Sequence, residues 1–119
     1  MPGVENRKHA RIQVSVPVYY TSLNDQGTTL NFNMGMVRDV SQSGVALEIH
    51  SEPDSKWLSL SFVDVSGNTL ELRGRSVYSK EIESGKYKIG VKLLGGPADN
   101  IDFVKELVRV HYYIKRSVN

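Results

Sequence analysis

The chain has 119 residues, 39% hydrophobic and 24% charged, the size and balance of one soluble globular domain with a core of its own. Its net charge of +2 is too small to imply bulk nucleic-acid binding, and the absence of cysteine excludes disulfides, thiolate metal sites and cysteine nucleophiles. No apolar run approaches the roughly 20 residues of a membrane span, and the opening Met-Pro-Gly-Val-Glu-Asn lacks the apolar core of a secretory signal, so a cytoplasmic protein is expected.

Residues 1–10 hold Pro2, Gly3, Glu5, Asn6, Arg7, Lys8 and His9, with almost nothing to bury, and predict a flexible N-terminal arm. From Arg11 the pattern turns to period two. Ile12, Val14, Val16, Val18 and Tyr20 face one way, and Arg11, Gln13 and Ser15 the other, as in a half-buried strand. Pro17 lacks an N–H and points to an edge or a bulge. Asn24-Asp25-Gln26-Gly27 is a turn by composition. Leu30, Phe32, Met34 and Met36 then alternate as a second strand running to about Val40, with Gly35 a possible bulge.

Val45, Leu47 and Ile49 make a third strand with Glu48 and His50 outward, and Leu58, Leu60 and Phe62 a fourth. Ser66-Gly67-Asn68 is a hairpin turn. Leu70 and Leu72 open a fifth strand that continues through Gly74 to Tyr78, and Glu83-Ser84-Gly85-Lys86 closes it as a turn. Tyr87, Ile89, Val91 and Leu93 give the sixth, with Lys86, Lys88 and Lys92 on the wet side. Beyond Gly95-Gly96-Pro97 the period changes. Ile101, Val104, Leu107, Val108, Tyr112 and Ile114 mark one face of a helix over 99–116, with Asp99 or Asn100 as N-cap and Lys115 and Arg116 at its negative end. The expected fold is a single mainly β domain, a six-stranded antiparallel barrel over 11–95 with a C-terminal helix. Barrel closure removes the exposed edges that six short strands would otherwise leave.

Two short motifs carry the chemistry. Arg7-Lys8-His9-Ala10-Arg11 sets two guanidiniums four residues apart where the tail becomes a strand. Asp39-Val40-Ser41-Gln42-Ser43-Gly44 is a loop offering a carboxylate, two hydroxyls and a glycine. In this order, followed by these strands, they resemble the PilZ domain, a bacterial receptor module for cyclic di-GMP, whose signatures read RxxxR and (D/N)xSxxG. Tyr87-Lys88-Ile89-Gly90-Val91 is similar to the late YxIGV-type strand of that family, and Tyr78 stands where many members carry tryptophan.

The resemblance implies a split barrel whose arginine arm wraps the ligand while the loop recognises a guanine. Carried over, Arg7 and Arg11 are the clamp, Lys8 has a supporting role, and Asp39, Ser41 and Gly44 form the barrel-side surface. The residue types suit that task. A guanidinium fork matches phosphate oxygens and stacks on bases. It also fits the O6/N7 edge of guanine. A carboxylate accepts from guanine N1–H and N2–H₂, and glycine permits a tight turn or a close backbone approach.

Without the resemblance, Arg7, Lys8 and Arg11 read as a solvated basic tail, and Asp39 and Ser41 as an Asx-type turn with Gly44 at positive φ. His9, His50 and His111 lie far apart and predict no metal site. Glu81 and Glu83 fall in a turn, Ser41 has no histidine nearby and G-x-S-x-G is absent, so no catalysis is expected. Tyr19-Tyr20 and Tyr112-Tyr113 read as core-and-rim pairs. The expected function is a stand-alone, non-enzymatic cyclic di-GMP receptor needing no cofactor and acting through a downstream protein. The rivals are a small barrel binding single-stranded nucleic acid, as OB folds do, and a PilZ-like adaptor binding protein only.

Overall fold

The structure, a computed structural model, describes residues 11–27 and 29–117; the expected arm, with Arg7 and Lys8, lies outside the described residues. Six strands follow one another: β1 (Ile12–Leu23), β2 (Thr29–Val40), β3 (Gly44–Ile49), β4 (Trp57–Val63), β5 (Thr69–Glu83) and β6 (Lys86–Leu93). The helix α1 (Pro97–Ser117) completes the chain. All pairings are antiparallel, and the order β1-β2-β3-β6-β5-β4 closes on itself as a barrel. Three turns carry glycines at positive φ, Gly27, Gly67 and Gly85, a conformation that costs other residues steric strain.

Period-two alternation fills the barrel. Val14, Val16, Val18 and Tyr20 of β1, Val45, Leu47 and Ile49 of β3, Leu58, Leu60 and Phe62 of β4, and Ile89, Val91 and Leu93 of β6 are all buried. Ile12, the first residue of β1 and opposite Val40, faces the same side as its set but is exposed at the end of the strand. Pro17 lies where β1 pairs with β2 alone, since pairing to β4 begins at Tyr19. The helix serves this free edge: the Ser15 N–H donates to His111 Nδ1 at 3.0 Å.

β2 reverses the sequence expectation. Phe32 and Met34 point outward, with Phe32 stacked on Tyr19 at 5.1 Å. The inward side needs no large residue there. A Cβ on Gly35 would lie 2.8 Å from Ile49 Cγ2 and 3.1 Å from Leu47 Cδ1, so β3 already fills that space. Gly35 therefore marks close packing, and the bulge lies instead between Val37 and Asp39. Glu81 and Glu83 also differ from expectation, being paired within β5, opposite Tyr87 and Lys86.

The helix begins at Pro97, where a missing N–H is harmless, so neither Asp99 nor Asn100 is the cap. Asn100 instead reaches back, its Oδ1 accepting from the Gly95 N–H at 2.9 Å. The face that enters the core is Phe103, Val104, Leu107 and Val110, with Phe103 edge-on to Phe62 at 5.1 Å. Ile101, Tyr112 and Ile114, expected on that face, are exposed, and so is Tyr113. α1 carries two apolar stripes, and the sequence pattern merged them.

Leu107→Ala should therefore lower stability by about 2–5 kcal/mol in urea melts, and Ile101→Ala by less than about 1 kcal/mol. Tyr20 supplies a pH test. Burial raises its phenol pKa above the ordinary value of 10.0, a hydrogen bond with Ser51 opposes the rise and Asp54 adds to it. A raised folded pKa gives stability that is complete below about pH 10 and is lost as pH climbs through the raised value. Alkaline melts should show that loss, and Tyr20→Phe should flatten it.

Candidate functional site

The second motif sits where β2 ends, and a bulge aims it. Val37 pairs with Leu47 and Asp39 with Ala46, leaving Arg38 as an extra residue on β2. Simple alternation would send Val37 and Asp39 to the same side. The extra residue breaks the alternation, so Val37 and Val40 are both fully buried, Arg38 is exposed, and Asp39, itself mostly covered, meets Arg11 beside the first strand. Arg38 is then held by Glu48, its Nε donating to Oε1 at 2.8 Å, and by Ser15 Oγ at 2.9 Å from Nη1.

Asp39 receives the root of the arm. Arg11 Nε donates to Asp39 Oδ1 at 2.9 Å and Nη2 donates to the same oxygen. Lys88 Nζ lies 4.0 Å from Oδ2. The Asp39 side chain is 11% exposed and that of Arg11 46%, so the pair straddles the protein–water boundary. Ion pairs this wet contribute about 0–1 kcal/mol to stability. The contact positions Arg11 without locking it.

The loop after Asp39 is tied at both ends. The Ser41 N–H donates to the Gly44 carbonyl at 2.9 Å, and the Ser43 carbonyl accepts from the Leu93 N–H at 2.9 Å. Gly44 is not at positive φ. A Cβ there would lie 2.8 Å from the Val91 carbonyl oxygen, so glycine is required by the approach of β6. Of the six expected site residues, the structure gathers Arg11, Asp39, Ser41 and Gly44 at one corner of the barrel.

Register extends the site beyond the motifs. Asp39, Ala46, Gly90 and Tyr78 form one row across β2, β3, β6 and β5. Three strand spacings separate its ends, about 14 Å. A Cβ on Gly90 would fall 2.1 Å from Tyr78 Cε2, so the tyrosine ring occupies the space that a side chain would take, and it remains 47% exposed. Lys88, paired with Lys80, flanks the row on one side, and Lys92, paired with Arg75, on the other. The outer wall thus presents a carboxylate at one end, a half-exposed aromatic ring at the other, and cations along both borders. Such a surface can hold a flat, elongated anion with hydrogen-bond donors at one tip.

Lys88 and the Tyr78–Gly90 contact were outside the sequence expectation. Lys88 reads there only as a wet-side residue, and nothing in a linear pattern sets Tyr78 opposite Gly90. Among the described residues, no group of three His, Cys, Asp or Glu side chains could hold a metal ion. No helix among the described residues is long and apolar enough to cross a membrane.

A family model, the PilZ domain, matches residues 5–110. No curated protein matches. Among solved structures, the PilZ domain of CeSA from a cellulose-synthesizing bacterium is similar at 17% identity and a TM-score of 0.56, over 89% of this chain and 98% of that one. The PilZ domain of YcgR from Escherichia coli, solved with c-di-GMP, is similar at 12% identity and a TM-score of 0.58, over 95% and 94%. The Bacillus subtilis inhibitor of motility (MotI/DgrA) is similar at 14% identity and a TM-score of 0.59, over 95% of this chain and 57% of that one. At these identities the likeness is one of fold, and the family match covers most of the sequence. With both motifs intact and four of their fixed positions converging on one corner of a six-stranded barrel, the chain belongs to the PilZ domain family.

Proposed function

We propose that this protein is a non-enzymatic receptor for cyclic di-GMP, bound on the outer wall between Arg11–Asp39 and Tyr78. The observation that carries the reading is the contact of Arg11 with Asp39, which brings the end of one motif onto the start of the other. Support also comes from the family match and from c-di-GMP bound to the PilZ domain of E. coli YcgR.

The chemistry follows from the row. Asp39 accepts from the N1–H and N2–H₂ edge of one guanine, and Ser41 adds a hydroxyl. Arg11 turns its free donors to a phosphate or to a guanine O6/N7 edge. Arg7 closes from the other side with Lys8 in support, and Lys88 and Lys92 border the phosphates. The exposed face of Tyr78 takes the second base by stacking, which contributes about 1–3 kcal/mol per base. Gly44 keeps the loop against β6.

The arm folds over the ligand as Arg7 and Arg11 engage it, and the remade surface near the N-terminus is what a partner protein reads. Ordering the arm lowers net affinity, which still lies in the micromolar range because four or five charge-assisted hydrogen bonds form.

Calorimetry with the purified chain tests this. Cyclic di-GMP should bind, and Arg11→Ala should weaken binding by about 10–150-fold, the loss of one charge-assisted contact at about 1.5–3 kcal/mol. Tyr78→Ala should weaken it by at least about fivefold while Tyr78→Phe stays near wild type, because stacking needs the ring and not the hydroxyl. An unchanged affinity for Arg11→Ala would refute the clamp. Competition by a single-stranded oligonucleotide in place of cyclic di-GMP would refute the ligand.

A further inference from the structure

A groove of about 710 Å³ runs between α1 and the end of β2, beside the motif loop but facing the helix. Its floor is apolar, from Ile12, Val40, Val104 and Val108, with Ile101 and Tyr112 along the helix side. Ile101, Lys105, Val108, Tyr112 and Arg116 are spaced four, three, four and four residues apart, so they form one stripe along α1. Its apolar members, Ile101, Val108 and Tyr112, make the second apolar stripe of the helix, next to the one that enters the core. From Ile101 to Arg116 it extends about 22 Å at the helical rise per residue.

The rim is cationic. Lys105, Arg109 and Arg116 line the groove, and among the described residues no carboxylate does. Arg109 is partly satisfied by Glu106 at 2.9 Å, but among the described residues no acidic group pairs with Lys105 or Arg116. A long apolar floor with unpaired cations on the rim is complementary to an amphipathic helix whose apolar stripe is flanked by glutamate or aspartate.

Other occupants fit less well. The chain's own first ten residues carry Arg7, Lys8 and His9 against the single acid Glu5, so like charges would meet. A second copy docked groove to groove about a two-fold axis would set the same cations against each other. A bilayer needs a protruding apolar face, and this one is recessed.

We infer that this groove is the docking site for an acidic amphipathic helix of a partner protein. The inference names the partner's chemistry for the receptor proposed above and rests on that reading for its role. Ser41 and Gln42 of the motif loop line the groove, and Ile12 follows Arg11 directly, so a ligand on the outer wall adjoins the docked helix through shared backbone. Peptide binding itself needs no nucleotide, which keeps the two readings separable.

The test is fluorescence anisotropy of the full chain, without nucleotide, against three labelled 18-residue peptides. One has a leucine stripe at helical spacing flanked by glutamate, one the same stripe flanked by lysine, and one is a stripe-free scramble of the first. The glutamate-flanked peptide should bind at least tenfold more tightly than either control. Ile101→Asn should weaken it, and the double reversal Lys105→Glu with Arg116→Glu should switch preference to the lysine-flanked peptide. All three side chains changed or reversed are at the groove surface, and thermal melts of each variant establish that it is folded. Equal binding of the scramble, or a preference unmoved by the reversal, overturns the inference. So does sedimentation showing a dimer abolished by the reversal, or capture by phosphatidylserine vesicles without peptide binding. A chain that binds the peptide but not cyclic di-GMP sinks only the receptor reading.

Discussion

One extra residue in β2 decides what the outer wall of this barrel can do. With Arg38 out of register, Val37 and Val40 both enter the core and Asp39 faces outward beside the first strand. A regular strand would have to bury either the carboxylate or lose one of the two valines from the core. Burying an unpaired carboxylate is costly enough that the register would slip instead. The bulge reconciles a continuous apolar interior with a charged group at its rim, and Arg11, Lys88 and the motif loop all take their positions from that group.

The pair made by Arg11 and Asp39 is weak in stability and strong in geometry. A guanidinium that is half in water loses little when it exchanges one oxygen partner for another. That suits a residue whose proposed task is to leave a carboxylate for a phosphate or a base edge. The wall around the row is closely packed by contrast. Gly44 and Gly90 have no room for a side chain, the first against the β6 backbone and the second under the Tyr78 ring. The proposed readout, a change in surface on binding, rests on the Arg11 cation lying over a closely packed wall.

The sequence was legible where one face of a strand is buried and the other wet, as in β1, β3, β4 and β6. It misled in β2, where Phe32 and Met34 are outward because Leu47 and Ile49 already occupy the space over Gly35. It misled again in α1, where two adjacent apolar stripes, one in the core and one in the groove, look like a single broad face. That Asp39, Ser41 and Gly44 lie together in one loop was legible because their spacing is local, whereas Arg7 and Lys8 lie outside the described residues. Lys88 and Tyr78 were not legible, since the pairing of β2 and β6 on either side of β3 brings Lys88 to Asp39, and irregularities in the β5–β6 hairpin decide that Tyr78 faces Gly90.

The most direct test is a nitrogen-edited NMR titration with cyclic di-GMP that follows the Arg11 Nε–H together with the backbone amides. The Arg11 Nε–H should move as its bond to Asp39 is exchanged, along with the amides of Ser41, Gly44, Lys88 and Tyr78. Shifts confined to the opposite end of the barrel, around Gly27, Arg73 and Gly95, with the Arg11 signal unmoved, would contradict it.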